Sequence, residues 1–231
     1  MAPQPTIAFG PDYPASLLDL IDGVPMPLVR EQRWARTFRH PTTGAMFWIP
    51  RFMDGSATMT LAELHRSWPT WTADERRAFS ASAPWLHEQS DFADILRFLM
   101  REGDARVWCS IALAVASQLP QEEAFRVLCE ALDAMAPSAS SNILQAIART
   151  GHVSARLVIK RQVDRLCAAP ELWADDNGLN RLASTAIYGI KYLLKLGEDP
   201  ATLTSIVQSL SEHHSDAVRR ECDRQLQSRQ T

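Results

Sequence analysis

Glu212-His213-His214-Ser215-Asp216 gathers two imidazoles and two carboxylates in one short stretch, a donor set chemically adequate for a transition metal. Neighbouring side chains in a turn seldom converge on one ion without a further ligand from elsewhere. The same residues stand where two helical patterns meet, so a solvated capping turn is expected there and no metal site. Asp175-Asp176-Asn177-Gly178 begins like a calcium loop but lacks the later ligands of the twelve-residue pattern, which leaves a turn leading into a helix. The cysteines, Cys109, Cys129, Cys167 and Cys222, form no C-x-x-C pair and sit among apolar neighbours at helical spacing. They read as structural free thiols, which points to a reducing, cytoplasmic setting.

Spacing that would mark an active site is missing. The chain has no G-x-G-x-x-G, no G-x-x-x-x-G-K-[ST], no G-x-S-x-G and no H-E-x-x-H, and its nine glycines build no Gly-rich loop for a phosphate. No catalytic residue and no cofactor is assigned, and an enzyme is the less favoured class. His40, His65 and His87 fall near Trp34, Trp48, Trp68, Trp71 and Trp85. These could line a small-molecule pocket or stack on a base, but the favoured expectation is that they cement an irregular cap, each burying a large area with one polar handle.

Charge is spread unevenly. Residues 28–53 carry Arg30, Arg33, Arg36, Arg39 and Arg51 against Glu31, and residues 149–165 carry Arg149, Arg156, Lys160, Arg161 and Arg165 against Asp164, each a local 5 − 1 = +4. Residues 86–148 hold nine acids against four Arg, a local −5, and the whole chain sums to 24 − 27 = −3. Two basic stretches on a mildly acidic chain suit an anionic ligand or partner if they meet, and solvated faces if they do not.

The elements that would position such groups divide the chain in two. Of the 14 prolines, ten lie at or before residue 85, as do five of the seven tryptophans. With 231 residues, 46% hydrophobic and 22% charged, the composition is that of a globular chain and excludes collagen-like, mucin-like and wholly disordered classes. No apolar run reaches the roughly 18 to 20 residues of a bilayer-spanning helix, and Pro3, Pro5, Pro11 and Pro14 interrupt any secretory h-region, so neither a membrane nor a cleaved signal is expected.

Residues 1–89 read as an irregular aromatic- and Pro-rich cap. It has a short helix at 16–21, an extended PMPL at 25–28, and two strands, RWARTFRH and AMFWI, around Pro41-Thr42-Thr43-Gly44. Thr72-Ala73-Asp74-Glu75 is a capping box for a helix over 73–82. From residue 90 the 3.6-residue period predicts helices at 91–101, 105–118, 120–135, 138/140–149, 152–168, 178–196, 200–211 and 216–228, punctuated by Gly103, Pro120, Gly151, Gly197 and Pro200. Helix 105–118 has apolar residues around most of its circumference, Val107, Trp108, Ile111, Ala112, Val115 and Ala116, and should be covered on more than one side.

The short-linked helices form consecutive pairs. Asp104-Ala105-Arg106-Val107 opens one second helix and Asp216-Ala217-Val218-Arg219 another, and Thr150 to Arg156 looks like the turn into a further repeat. An acid at a helix start followed by Arg and an apolar run resembles HEAT and armadillo-type helical repeats, over about residues 90–229. The resemblance implies a mainly α fold, a HEAT-like α–α superhelix of about four helical pairs packed as one unit over 90–231, in which acid and Arg of successive repeats form a ladder. Asn142 and Asn180 stand near where the acid and Arg should be, and the connection 169–177 is long for such a repeat.

A stack of this kind binds by area and needs no catalytic motif. The expected function is therefore non-catalytic binding of a protein or peptide, as a scaffold, inhibitor or immunity-type partner, on the concave face that second helices line in such stacks. The helix over 178–196 supplies the candidate stripe: Arg181, Thr185, Tyr188, Lys191, Tyr192 and Lys195, opposite an apolar stripe of Leu179, Leu182, Ala186, Ile190 and Leu193. The hairpin tip, Arg39, His40, Thr42 and Thr43, is the second candidate. The alternatives are a nucleic-acid enzyme resembling the HEAT-like alkylpurine DNA glycosylases, which the net charge disfavours, and a small-molecule enzyme with a pocket between cap and stack.

Overall fold

The computed structural model of the chain describes residues 28–40, 42–53, 57–136, 140–167 and 176–199; within these, nothing is drawn from the side chains of 167, 176–184 and 187. The protein is mainly helical, with one small antiparallel sheet near its N-terminal end. The chain divides into two compact units, Met1–Gly103 and Asp104–Thr231.

In the first unit, β1 (Leu28–Glu31), β2 (Ala35–Arg39) and β3 (Met46–Pro50) form an antiparallel sheet in the order β1-β2-β3. The expected hairpin is β2 and β3, registered from Ala35 opposite Pro50 to Arg39 opposite Met46. Gly44 closes its turn at φ 68°, a conformation that a Cβ disfavours. The third strand was not expected. β1 has all four residues exposed, and its pairing with β2 is irregular between Leu28 and Arg30, so it carries no alternation for a sequence pattern to detect.

Helices α1 (Leu61–Ser67), α2 (Ala73–Ser82) and α3 (Phe92–Glu102) complete this unit. Both α1 and α2 open with a capping box, Thr60 with Glu63 and Thr72 with Glu75. Asp91 holds the N-cap position of α3 without capping its own helix, and its carboxylate accepts the backbone N–H of Leu61 at 2.8 Å. The fold thus spends the acid on α1, joining two helix starts thirty residues apart. The core here is aromatic. Trp34, Phe52, Trp71 and Phe79 are all buried, and their neighbouring ring centroids lie 5.2–5.8 Å apart.

The second unit contains α4 (Ala105–Gln118), α5 (Gln121–Ala134), α6 (Ser141–Arg149), α7 (Ala155–Cys167) and α8 (Asp176–Lys195). Asp104 caps α4, its Oδ1 accepting the N–H groups of Arg106 at 2.9 Å and Val107 at 3.1 Å. α8 ends in a left-handed Gly197 at φ 79°; the N–H of Gly197 returns to Leu194 O and that of Glu198 to Leu193 O, so its last carbonyls are satisfied. α6 packs against both α4 and α8, α5 against α4 and α6, and α7 against α6 and α8. Ile111, Leu128, Ile143, Leu144, Ile147, Ile159 and Leu166 are fully buried between them.

α4 is not enclosed as expected. Val107, Ile111, Ala112 and Val115 are buried, but Trp108 is half-buried and Leu113 exposed, so one apolar stripe faces the core and the remaining apolar residues do not. Residues 200–228, with their two expected helices, and the expected helix at 16–21 lie outside the described residues.

Candidate binding face

α8 presents its buried stripe as expected: Ala186, Ile190 and Leu193 are in the core. Leu179 and Leu182 lie outside the described side chains, as does Arg181 of the opposite stripe. That opposite stripe is narrower than the sequence indicates. Thr185 is 1% exposed and Tyr192 7%, so both belong to the interior and are corrected out of the surface set. The physical reason is the angle subtended by the neighbours: α8 packs on both α6 and α7, and two partner helices cover more of its circumference than one apolar stripe.

Tyr188, Lys191 and Lys195 remain accessible, Tyr188 at 43%. The Tyr188 ring lies nearly parallel to that of Tyr192, with centroids 6.3 Å apart, and the Lys191 Nζ stands 6.0 Å from the Tyr188 centroid. Burial raises the Tyr192 hydroxyl above its ordinary value, with a further push from Tyr188. Tyr192 thus acts as a neutral apolar platform against which Tyr188 is set, and Tyr188 offers an amphipathic ring beside a cation.

The helices beside α8 are joined by polar contacts of their own. Asn142 Nδ2 donates to Cys109 O at 3.3 Å, linking α6 to α4 at the position where the repeat pattern would place an acid or Arg. Glu198 receives Arg156 Nε at 3.6 Å and Lys160 Nζ at 3.8 Å, tying the end of α8 to α7. The turn from α6 to α7 is held by His152, whose ring stacks on Phe125 of α5 at 3.8 Å and 12°. Its Nδ1 accepts Ser154 N–H at 3.1 Å, so the ring proton is on Nε2, 3.1 Å from Glu122 Oε2.

At the hairpin tip, Arg39, Thr42 and Thr43 are exposed, but His40 is committed to the turn. Its Nδ1 accepts the N–H groups of Thr42 and Thr43, each at 3.2 Å, and its carbonyl accepts Gly44 N–H at 3.0 Å. An imidazole whose lone pair already receives two backbone donors shapes the loop; it has no free lone pair to offer a ligand.

Most of the large aromatics of the first unit form a core, while Trp48 and Trp85 are half-buried. Trp34, Trp68 and Trp71 are buried, while His65 is exposed and lies against Phe98 at 4.5 Å. Arg33 covers Trp34 at 4.7 Å and Trp71 at 5.1 Å, and Arg76 covers Trp68 at 5.2 Å. Among the described residues the indole N–H groups of Trp34 and Trp71 reach no acceptor; both rings abut Phe79, with centroids 5.3 and 5.2 Å away. Part of the basic excess in each unit is neutralised locally, Arg36 by Glu31 at 3.0 Å and Arg156 by Glu198.

Glu212 to Asp216 lie outside the described residues, and among the described residues no three acids, histidines or cysteines gather around a possible metal. Also among the described residues, no helix is long and apolar enough to cross a membrane. Asp176, Asn177 and Gly178 belong to the first turn of α8. Compared with family models, with curated proteins and with solved structures, the chain matches none.

Proposed function

We propose that this chain is a non-catalytic protein- or peptide-binding module, a HEAT-like α–α superhelix with an irregular N-terminal cap, which engages its partner through α8. The observation that carries the reading is the Tyr188–Lys191 pair, an exposed aromatic ring beside a cation on a helix whose Thr185, Ala186, Ile190, Tyr192 and Leu193 are in the core. Support for the architecture comes from the order of packing: α4, α6 and α8, each the second helix of a pair, pack in succession, with α5 and α7 each contacting two of them. Tyr188, Lys191 and Lys195 form the working set, and Arg181 joins it from the sequence alone.

Capture with the purified 231-residue chain, followed by mass identification and titration of the captured protein, tests the reading. A saturable protein partner is the expected result. A steep salt dependence of binding to duplex DNA, with no protein captured, would replace it with the glycosylase-like alternative.

A further inference from the structure

α7 and the turn before it carry a row at a spacing of four: Val153, Leu157, Arg161 and Arg165. Leu157, Arg161 and Arg165, four apart on α7, form one ridge along the helix, the feature that fits the groove of another helix, and Val153 extends the row into the turn before it. This ridge is unusual at its apolar end, where Val153 is 92% exposed and Leu157 70%. Ala155, Ile159, Val163 and Leu166 are in the core and Val158 is half-buried, so the helix does not lack places to bury apolar side chains. Left in water, Val153 and Leu157 stabilise nothing within the described chain.

The ridge continues into cations of a particular kind. Arg156 and Lys160, on the adjoining row, are both held by Glu198. Arg161 and Arg165 are exposed and make no ion pair with a described residue; Asp164, the nearest acid in sequence, is exposed beside them and does not take either. One row of α7 is therefore satisfied inside the chain, while the next joins an exposed aliphatic end to two guanidinium groups that pair with no described residue.

We infer that this ridge docks an acidic amphipathic helix of a partner protein. Two aliphatic side chains of the partner, one turn apart, cover Val153 and Leu157, and carboxylates further along it engage Arg161 and Arg165, whose planar forks match carboxylates in bidentate fashion. The aliphatic end favours a protein over a nucleic acid, because phosphate backbones reward cations and not exposed Val or Leu. The ridge shares no residue with the Tyr188–Lys191 pair, so variants in one can be read independently of variants in the other.

The test is selection from a phage library of random 16-residue peptides on the whole 231-residue chain, followed by titration of the enriched peptides. Enriched sequences should be rich in Asp and Glu, with aliphatic pairs at a spacing of four. They should bind Leu157→Asp and Arg161→Glu at least 10-fold more weakly than the unaltered chain and bind Tyr188→Ala unchanged. Both ridge variants alter exposed side chains, and their circular dichroism should match the parent. Peptides without acidic bias, equal binding to the ridge variants, or no enrichment would each overturn the inference. So would a photo-crosslinker at position 153 that reacts with residues 200–231 of its own chain or with a second copy, or phosphatidylserine vesicles that bind and lose binding in Leu157→Asp.

Discussion

Val163 of α7 occupies the place that a Cβ on Gly189 of α8 would need: a methyl group built there overlaps Val163 Cγ2, with Leu144 Cδ1 at 3.7 Å. The glycine is what allows α8 to approach α7 this closely while keeping Tyr188, its neighbour in sequence, on the accessible side.

Gly189→Ala should therefore destabilise the chain by about 1–3 kcal/mol, the range for overpacking, although helix propensity alone favours Ala by about 1 kcal/mol. Val163→Ala in the same chain should recover part of the loss, since the two changes share one contact. Urea unfolding followed by circular dichroism gives the sign. A stabilised single variant would show that α8 does not lie against Val163.

His152 ties the turn before α7 to α5 through one ring, stacking on Phe125, accepting from Ser154 and donating to Glu122. His152→Ala should cost about 1–3 kcal/mol through lost stacking and an unsatisfied N–H. Glu122→Gln should cost less than about 1 kcal/mol, because that carboxylate is largely in water and exposed pairs contribute little. Equal losses in the two variants would mean that the ion pair, and not the stack, holds the turn.

Both capping boxes make stability depend on pH in a stated direction. Glu63 and Glu75 are held below the ordinary carboxylate range, chiefly by accepting the N–H of Thr60 and Thr72. Their folded pKa is lower than their unfolded one, so the contribution is present above the unfolded value and is lost as pH falls through the folded value. Glu63→Gln with Glu75→Gln should flatten the acid limb of a melting-temperature profile and leave its slope near neutral pH unchanged. An acid limb identical to the parent's would remove the two boxes from the account.

What could be read from the sequence follows from how local each signal is. Asp104, Gly151 and Gly197 lie in caps formed by neighbours in the chain, and α4 to α8 start and end within three residues of their expected bounds. The Thr60-Leu61-Ala62-Glu63 box was equally visible and was missed, although its spacing matches the one at Thr72. The depth to which α8 is buried was not legible: Thr185 and Tyr192 are polar residues on the polar side of the helical wheel, and only the packing of two helices on α8 shows that they are covered. Gly189 gave no pattern at all, since its meaning lies in a side chain on another helix. The site is thus legible only as far as Tyr188, Lys191 and Lys195, and the ridge on α7 only after burial has separated its rows.

The thiol of Cys129 is pushed up to about 11 by burial, with Asp133 and Glu130 adding to the shift, and burial raises Cys109 as well, with Asp104 adding. A thiol two units above its ordinary value holds about 100-fold less thiolate at pH 8. Labelling of the folded chain by iodoacetamide, read peptide by peptide, should therefore lag at Cys109 and Cys129 and catch up in denaturant. Fast labelling at Cys129 in the folded state would mean that the thiol is neither buried nor inert.

The most direct test of α8 as the binding face is calorimetric titration of the captured partner into the parent chain and into Tyr188→Ala with Lys191→Ala. The account expects a loss of more than about 2 kcal/mol, roughly 30-fold in Kd, with an unfolding midpoint near the parent's because exposed substitutions typically fall within about 0.5 kcal/mol each. Unchanged affinity, or a loss that appears only together with unfolding, would contradict it.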